Sequence, residues 1–229
     1  MKLAIIPARG GSKRIPRKNI INFCGKPMIS WSIKAAKECN CFDEIIVSTD
    51  DKEIANIAKS YGAKVPFNRP TYLADDHCLT QDVIKHAIEW YENNNKSLEF
   101  VCCIYATAPL INSRDIKKAT EILKETKVNS FIFPASSFQY PIQRALKINK
   151  NGYANMKDPK KFIVRSQDLE EHYHDAGQFY LAHTDAWKEV KSIFKNSRPI
   201  IIPNWRVQDI DNEEDLKYAE IKARILEMR

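Results

Sequence analysis

The sequence predicts an α/β fold in which a mostly parallel sheet is flanked by helices. Three observations carry this. Short apolar runs of strand length alternate with segments of helical period. A glycine pair follows the first such run after three intervening residues. The strand–helix order continues to residue 133 with no internal repeat or low-complexity stretch.

The elements follow in order. Leu3–Ile6 is an apolar run the length of a buried strand. Ile29, Ile33 and Ala36 mark one face of a helix. Ile45–Ser48 is the next strand, ending in Thr49-Asp50-Asp51. Ile54, Ile57, Ala58 and Tyr61 share a helix face, and Gly62 stands where a left-handed glycine ends a helix. Ala63–Pro66 reads as a short strand. Ile84, Ala87, Ile88 and Tyr91 make another helix face, and Phe100–Tyr105 another strand. Ser113 is placed to cap a helix carrying Ile116, Ala119 and Leu123. Ser130–Phe133 is a further strand.

The rhythm then changes. Residues 134–176 contain Pro134, Pro141, Asn151-Gly152 and Pro159, and Ala145–Ile148 ahead of Asn151-Gly152 is hairpin material. This stretch reads as an excursion within a single domain spanning residues 1–229, not as a second domain. The sheet pattern resumes at Gln178–Ala182 and Ile200–Ile202. A final helix turns Leu216, Ala219, Ala223 and Leu226 inward, with Asn212 as its N-cap.

Composition narrows the class. The chain has 229 residues, 44% hydrophobic and 28% charged, which suffices for a sizeable core. No run of about eighteen apolar residues exists, so no membrane helix is expected. The start MKLAIIPARGG lacks a signal peptide's apolar stretch, which makes the expected location cytoplasmic. A net charge of +7 attracts nucleic acid, membrane surfaces or small polyanions. No stripe of basic residues interleaved with aromatics appears, so no nucleic-acid partner is expected. The six cysteines form no C-x-x-C pair and no zinc spacing, and read as buried small hydrophobes or idle thiols.

Three segments carry chemistry. The first runs from Pro7 to Asn19, in the first strand–helix loop, at the sheet edge where ligands bind. Gly10 and Gly11 free backbone N–H groups, Ser12 adds a hydroxyl, and Arg9, Lys13 and Lys18 add positive charge. Together they suit a triphosphate. The loop matches neither a Walker sequence nor the dinucleotide G-x-G-x-x-G pattern. The second is Gln208-Asp209-Ile210-Asp211. Two carboxylates two apart on an extended segment point the same way and suit a hard cation such as Mg²⁺. The competing reading is ordinary acids at a helix N-terminus, and the triphosphate loop in the same chain favours the metal. The third holds Arg165, Gln167, His172, His174 and Asp175, dense in partners for a carboxylate and hydroxyls. His172 and His174 also read as metal ligands or as surface histidines, and the absence of a further Cys or His nearby favours the latter.

Arg9–Asn19 resembles the N-terminal signature of the CMP-sialic acid synthetase (acylneuraminate cytidylyltransferase) family, A-R-x-G-S-K-x-x-x-x-K-N. The resemblance extends through Ile46–Asp50, Arg69-Pro70, Leu73–Asp76, Thr107–Leu110 and Asp209–Asp211 with Asp215-Leu216, and so covers nearly the whole chain. It implies a Rossmann-like nucleotidyltransferase that uses CTP and Mg²⁺, releases pyrophosphate and works as a homodimer whose 134–176 excursion reaches into the partner. It puts Arg9, Ser12, Lys13 and Lys18 at the phosphates, with Asn19 and Arg69 near the cytidine, and Ala8, Gly10 and Gly11 complete the expected nucleotide-binding set. It makes Asp209 and Asp211 the metal carboxylates, and places Arg165, Gln167 and Tyr180 on the sugar side. Arg9, Lys18 and Asp211 are the expected catalytic residues.

The departures from the sialate pattern lie on the sugar side. They are Tyr105-Ala106, Gln143, and His174-Asp175-Ala176-Gly177. The strings Cys103–Pro109, Arg165–Glu171 and Tyr173–Tyr180 resemble the family branch that activates pseudaminic acid. Tyr105, Gln143, His174 and Asp175 therefore join the expected sugar-binding set. The implied partners are CTP and an acidic nine-carbon sugar. The alternatives are a synthetase for sialic, legionaminic or keto-deoxyoctonate sugars, and a non-catalytic CTP- or RNA-binding protein.

Overall fold

Alternation along the first strand sets the architecture. In β1 (Lys2–Pro7), Ala4 and Ile6 enter one hydrophobic cluster while Leu3 and Ile5 enter another. A strand buried on both faces needs helices on both sides. The computed structural model describes residues 1–189 and 192–227 and supplies them.

After β1 comes a small antiparallel pair, β2 (Asn22–Phe23) and β3 (Lys26–Pro27), which leads into α1 (Met28–Glu38). Then follow β4 (Glu44–Ser48), α2 (Lys52–Ser60), α3 (Thr80–Asn93), β5 (Phe100–Ile104), α4 (Ser113–Leu123) and β6 (Ile132–Ser137). The hairpin β7 (Leu146–Ile148) and β8 (Ala154–Met156) is next, then β9 (Tyr173–Asp175), β10 (Phe179–His183), α5 (Thr184–Glu189), β11 (Arg198–Ile201) and α6 (Glu213–Glu227). The main sheet runs β11-β6-β10-β5-β1-β4, with β9 paired to β6. The β1–β4, β1–β5 and β11–β6 pairs are parallel, and β10 runs antiparallel between β5 and β6.

Helices α1, α2 and α4 cover one face through Ile29, Ile33, Ile54, Ala58, Ile116 and Ala119. On the other face α3 and α5 lay down Ile84, Ile88, Tyr91 and Trp187. A third cluster joins Ile15 of the first loop, Leu110, Ile210, and Ala219 and Ala223 of α6. That cluster carries the C-terminal acidic segment back to the first loop.

Most expected elements form, with local differences. Ala63–Pro66 makes a single bridge, Lys64 to Ile46, and no strand. The cap of α4 is Asn112, whose side chain accepts from Arg114 N at 2.9 Å, and Ser113 is the first helical residue. The strand expected at Ser130–Phe133 spans Ile132–Ser137. Helix α5 was not expected, because its six residues are too few to show a period. Trp187 anchors it by donating Nε1–H to Val101 O at 3.0 Å. Gly62 (φ +92°) ends α2 as expected: Gly62 N donates to Lys59 O and Ala63 N to Ala58 O, both at 3.0 Å.

All six cysteines are free, and Cys39, Cys102 and Cys103 are buried. Burial pushes the Cys39 thiol up to about 12, so it behaves as an apolar filler. Among the described residues no helix is long and apolar enough to cross a membrane.

Candidate functional site

The loop after β1 is ordered because its backbone is tied to the end of β4. Ala8 N donates to Ser48 O at 2.9 Å and Gly10 N to Asp50 Oδ1 at 3.0 Å. A Cβ on Gly10 would lie 2.8 Å from Asp51 Oδ2, so any larger residue would have to displace the Asp51 side chain, whereas at Gly11 a Cβ would meet nothing within 4 Å. Asn19 Nδ2 donates to Arg9 O at 2.8 Å and closes the loop from behind. Arg17, held at φ +58°, forks onto Asp51 and Glu53. The Arg17 guanidinium holds the Asp51 carboxyl down at about 2, against the opposing effect of burial.

The loop borders a cleft of about 630 Å³ just beyond the ends of β1 and β5. Arg9, Ser12, Lys13, Arg14, Lys18 and Asn19 line it, with Arg69 and Asp76 on one side, Tyr105 and Thr107 on another, and Asp209 on a third. Four of these lining cations come from one loop. Such a concentration in a concave, partly desolvated space favours an anion with several charges.

Arg69 is nearly fully buried. Its Nε donates to Ser48 Oγ at 3.1 Å, Nη2 to Ser48 O, and Nη1 to Leu73 O at 3.5 Å. Burial pulls its pKa down to about 10, so it remains a cation at neutral pH.

Of the acidic segment, Asp209 lines the same cleft and Asp211 does not, although it pairs with two of the lining cations. Ile210 is buried in the third cluster, so the side chains on either side of it turn the other way. Lys18 Nζ donates to Ile210 O at 2.6 Å and lies 3.6 Å from Asp211, and Arg14 pairs with Asp211 at 2.8 Å. Asp215 Oδ2 accepts from Asp211 N at 3.0 Å and Asn212 N at 3.1 Å, while Asn212 Oδ1 accepts from Asp215 N at 3.0 Å. This reciprocal cap fixes the segment at the start of α6. From behind, Lys222 donates to Val207 O at 2.7 Å and the largely buried Arg206–Asp115 pair pins the preceding turn.

Burial, then the charge of Asp211, push the Asp209 carboxyl up. A bound cation would offset both effects, so the donor chemistry fits one. Among the described residues no group of three or more His, Cys, Asp or Glu is placed to hold a metal. Two carboxylates suit a hard cation that takes its remaining ligands from phosphate and water.

The expected sugar residues divide. Tyr105 lines the cleft, its ring 5.5 Å from that of Tyr180, and its hydroxyl is 3.4 Å from Thr80 Oγ1. Buried Tyr180 donates its hydroxyl to Asp175, which also accepts from Gly177 N at 3.2 Å. Burial pushes both tyrosine hydroxyls up, so they stay protonated donors. His174 packs its ring 5.1 Å from Phe138, on β9. Gln143 donates to Glu170 O at 2.8 Å and contacts His172 Nδ1 at 3.0 Å. Arg165 is exposed and pairs with Asp168 at 2.9 Å, and Gln167 is exposed beside it. Gln143, Arg165, Gln167, His174, Asp175 and Tyr180 do not line this cleft.

Sequence reasoning missed Arg14, Asp76, Thr80 and Thr107 as lining residues. Arg14 stood among the five basic residues of the first loop, and Asp76 directly follows Asp75. Those were the available signals.

The cytidylyltransferase family profile matches residues 3–222. The pseudaminic acid cytidylyltransferase of Campylobacter jejuni is 48% identical over 224 residues, covering 97% of this chain and 96% of that protein. The CMP-N,N'-diacetyllegionaminic acid synthase of Legionella pneumophila is 32% identical, covering 99% of this chain and 96% of that protein. Among solved structures, a CMP:2-keto-3-deoxy-manno-octonic acid synthetase complexed with CTP superimposes with a TM-score of 0.71 at 17% identity, covering 100% of this chain and 99% of that one.

Proposed function

The chain belongs to the cytidylyltransferase family, and from that premise we propose that it transfers CMP from CTP to pseudaminic acid and releases pyrophosphate. The observation that supports this most is that the Arg9–Asn19 loop cations and Asp209 line one cleft, with Asp211 tied to two of those cations, Arg14 and Lys18. The acceptor is inferred from the 48% identical relative and from the sugar-side strings that depart from the sialate pattern.

Arg9, Ser12, Lys13 and Lys18 bind the triphosphate, while Ala8 and Gly10, whose N–H groups are held by Ser48 O and Asp50 Oδ1, shape the loop and Gly11 leaves it room. Asn19 and Arg69 shape the cytidine end. The sugar's anomeric hydroxyl attacks the α-phosphate in line, and Arg9, Lys13 and Lys18 take up charge on the departing pyrophosphate. Asp209 and Asp211 are the residues that would hold a magnesium ion. When bound, that ion neutralises phosphate charge and lowers the pKa of a hydroxyl it contacts. Tyr105, with Tyr180 and Asp175 behind it, forms the polar wall on the acceptor side.

We read residues 1–229 as one nucleotidyltransferase domain acting as a cytoplasmic homodimer. The 134–176 excursion exposes Tyr140, Leu146, Ile148, Phe162 and Ile163, with Ile163 87% exposed. This many exposed large apolar side chains on one excursion call for a partner. In a dimer, Gln143, Arg165 and Gln167 meet the sugar bound by the partner subunit, which accounts for their position outside this chain's cleft.

The test is product identification. With CTP, Mg²⁺ and pseudaminic acid the protein should form the CMP-sugar and one equivalent of pyrophosphate, and ATP should not replace CTP. Equal turnover with ATP, or no product from any nonulosonic acid, would reject the reading.

A further inference from the structure

The cations of the first loop are already paired, and one pairing has the form of a phosphate contact. Asp76 Oδ1 lies 2.7 Å from Arg9 Nη2, while Asp76 Oδ2 accepts from Lys13 Nζ. One carboxylate thus bridges two cations with two oxygens, as a phosphoryl group does. Arg9 Nη1 also donates to the carbonyl of Asp75.

The segment bearing Asp76 has a buried stem and an exposed tip. Leu73 is buried and its carbonyl accepts from buried Arg69. Asp75 turns its own carboxylate inward, accepting from His77 N at 2.9 Å and Cys78 N at 2.7 Å. That local turn leaves the Asp75 carbonyl and the Asp76 carboxylate facing Arg9. The Lys13 side chain is 82% exposed and that of Asp76 36%, so their pair is screened by water and salt and costs little to open. A triphosphate brings more negative charge and more acceptor oxygens to the same cations.

We infer that Asp76 is a built-in counter-anion, which holds Arg9 and Lys13 in their phosphate-binding positions in the free protein and is displaced when the nucleotide's phosphates arrive. The inference rests on the nucleotide reading of this cleft. Asp76 is a positioning residue that keeps the two cations from folding onto other acids, and it competes with the substrate it prepares for. Its removal therefore tightens nucleotide binding, which loss of a structural contact or of a metal ligand does not do. Displacement also frees the tip at residues 74–78, while the Leu73–Arg69 stem stays in place.

The experiment is a titration of CTP into the full-length protein without acceptor sugar, for wild type, Asp76→Asn and Asp76→Glu. Asp76→Asn should bind about two- to fivefold tighter, the scale of one exposed charge pair, and Asp76→Glu should stay near wild type. In parallel, amide exchange at residues 74–78 of the wild type should speed up on adding CTP, a readout that needs no variant to fold. If wild type binds CTP and Asp76→Asn binds no tighter, or if residues 74–78 become more protected, the displacement is overturned. If wild type does not bind CTP, the nucleotide reading itself falls.

Discussion

Ile210 is buried among Ile15, Leu110 and Ala219, and that one apolar side chain orients the carboxylates on either side of it. The consequence at the scale of single residues is testable. Asp211 is partly exposed and, among the described basic side chains, pairs with Arg14 and Lys18. Asp211→Asn should therefore leave the melting temperature near wild type while lowering Mg²⁺-dependent turnover by about a hundredfold or more. A rate near wild type in steady-state pyrophosphate release would remove the metal role. The first-loop residues that line the cleft were legible because glycines, a hydroxyl and cations stand together in the chain. Asp76 was not, because its partners Arg9 and Lys13 lie more than sixty residues away and only the fold brings them together. Asn19 lines the cleft and gives one amide N–H to Arg9 O, which leaves its second N–H and its Oδ1 for a ligand.

At the scale of elements, local chemistry decided what could be read. Gly62 and Asn212 cap their helices as expected, because each acts on neighbours a few residues away. Asn112 took the cap from Ser113, a one-residue shift between two good capping residues. The direction of β10 had no local signal, since parallel and antiparallel buried strands share one apolar pattern. Helix α2 carries a sharper prediction. Asp51 caps it by accepting from Glu53 N at 2.9 Å and Ile54 N at 3.0 Å, and also binds Arg17 of the phosphate loop. Asp51→Ala should cost about 1–2 kcal/mol, a fall of roughly 2–8 °C in Tm for a chain of this size. It should also raise the KM for CTP, because the loop loses its anchor. The pH dependence has a definite sign. The folded carboxyl is held at about 2, below the unfolded value of about 4. Its contribution is therefore complete above pH 4 and lost as pH falls toward 2. Thermal melts of wild type and Asp51→Asn should converge over that window, and a constant gap would contradict the assignment.

At the scale of the whole molecule, the sheet and its two helical layers account for the core but not for the excursion. Tyr140 and Ile163 are 82% and 87% exposed in a single chain, an arrangement a lone subunit has no reason to keep. Light scattering at micromolar concentration should give twice the chain mass. Replacing Ile148 and Ile163 together by Asp should give monomers that bind CTP yet turn over poorly, because the sugar residues of the excursion then lack a partner's cleft. A wild-type monomer of full activity would contradict the dimer. The acceptor was legible only through residues that depart from the sialate pattern: Tyr105, Gln143, and His174–Gly177. Pseudaminate carries a second acylamino group and lacks the terminal hydroxyl of neuraminate. A polar group left unpaired by the wrong sugar costs about 1–3 kcal/mol, and every 1.4 kcal/mol is roughly tenfold. The most direct test of the central claim is kcat/KM for pseudaminate and for N-acetylneuraminate at saturating CTP and Mg²⁺. The account predicts a preference for pseudaminate of about tenfold or more. Equal values, or a preference for neuraminate, would contradict it and return the acceptor to the sialate class.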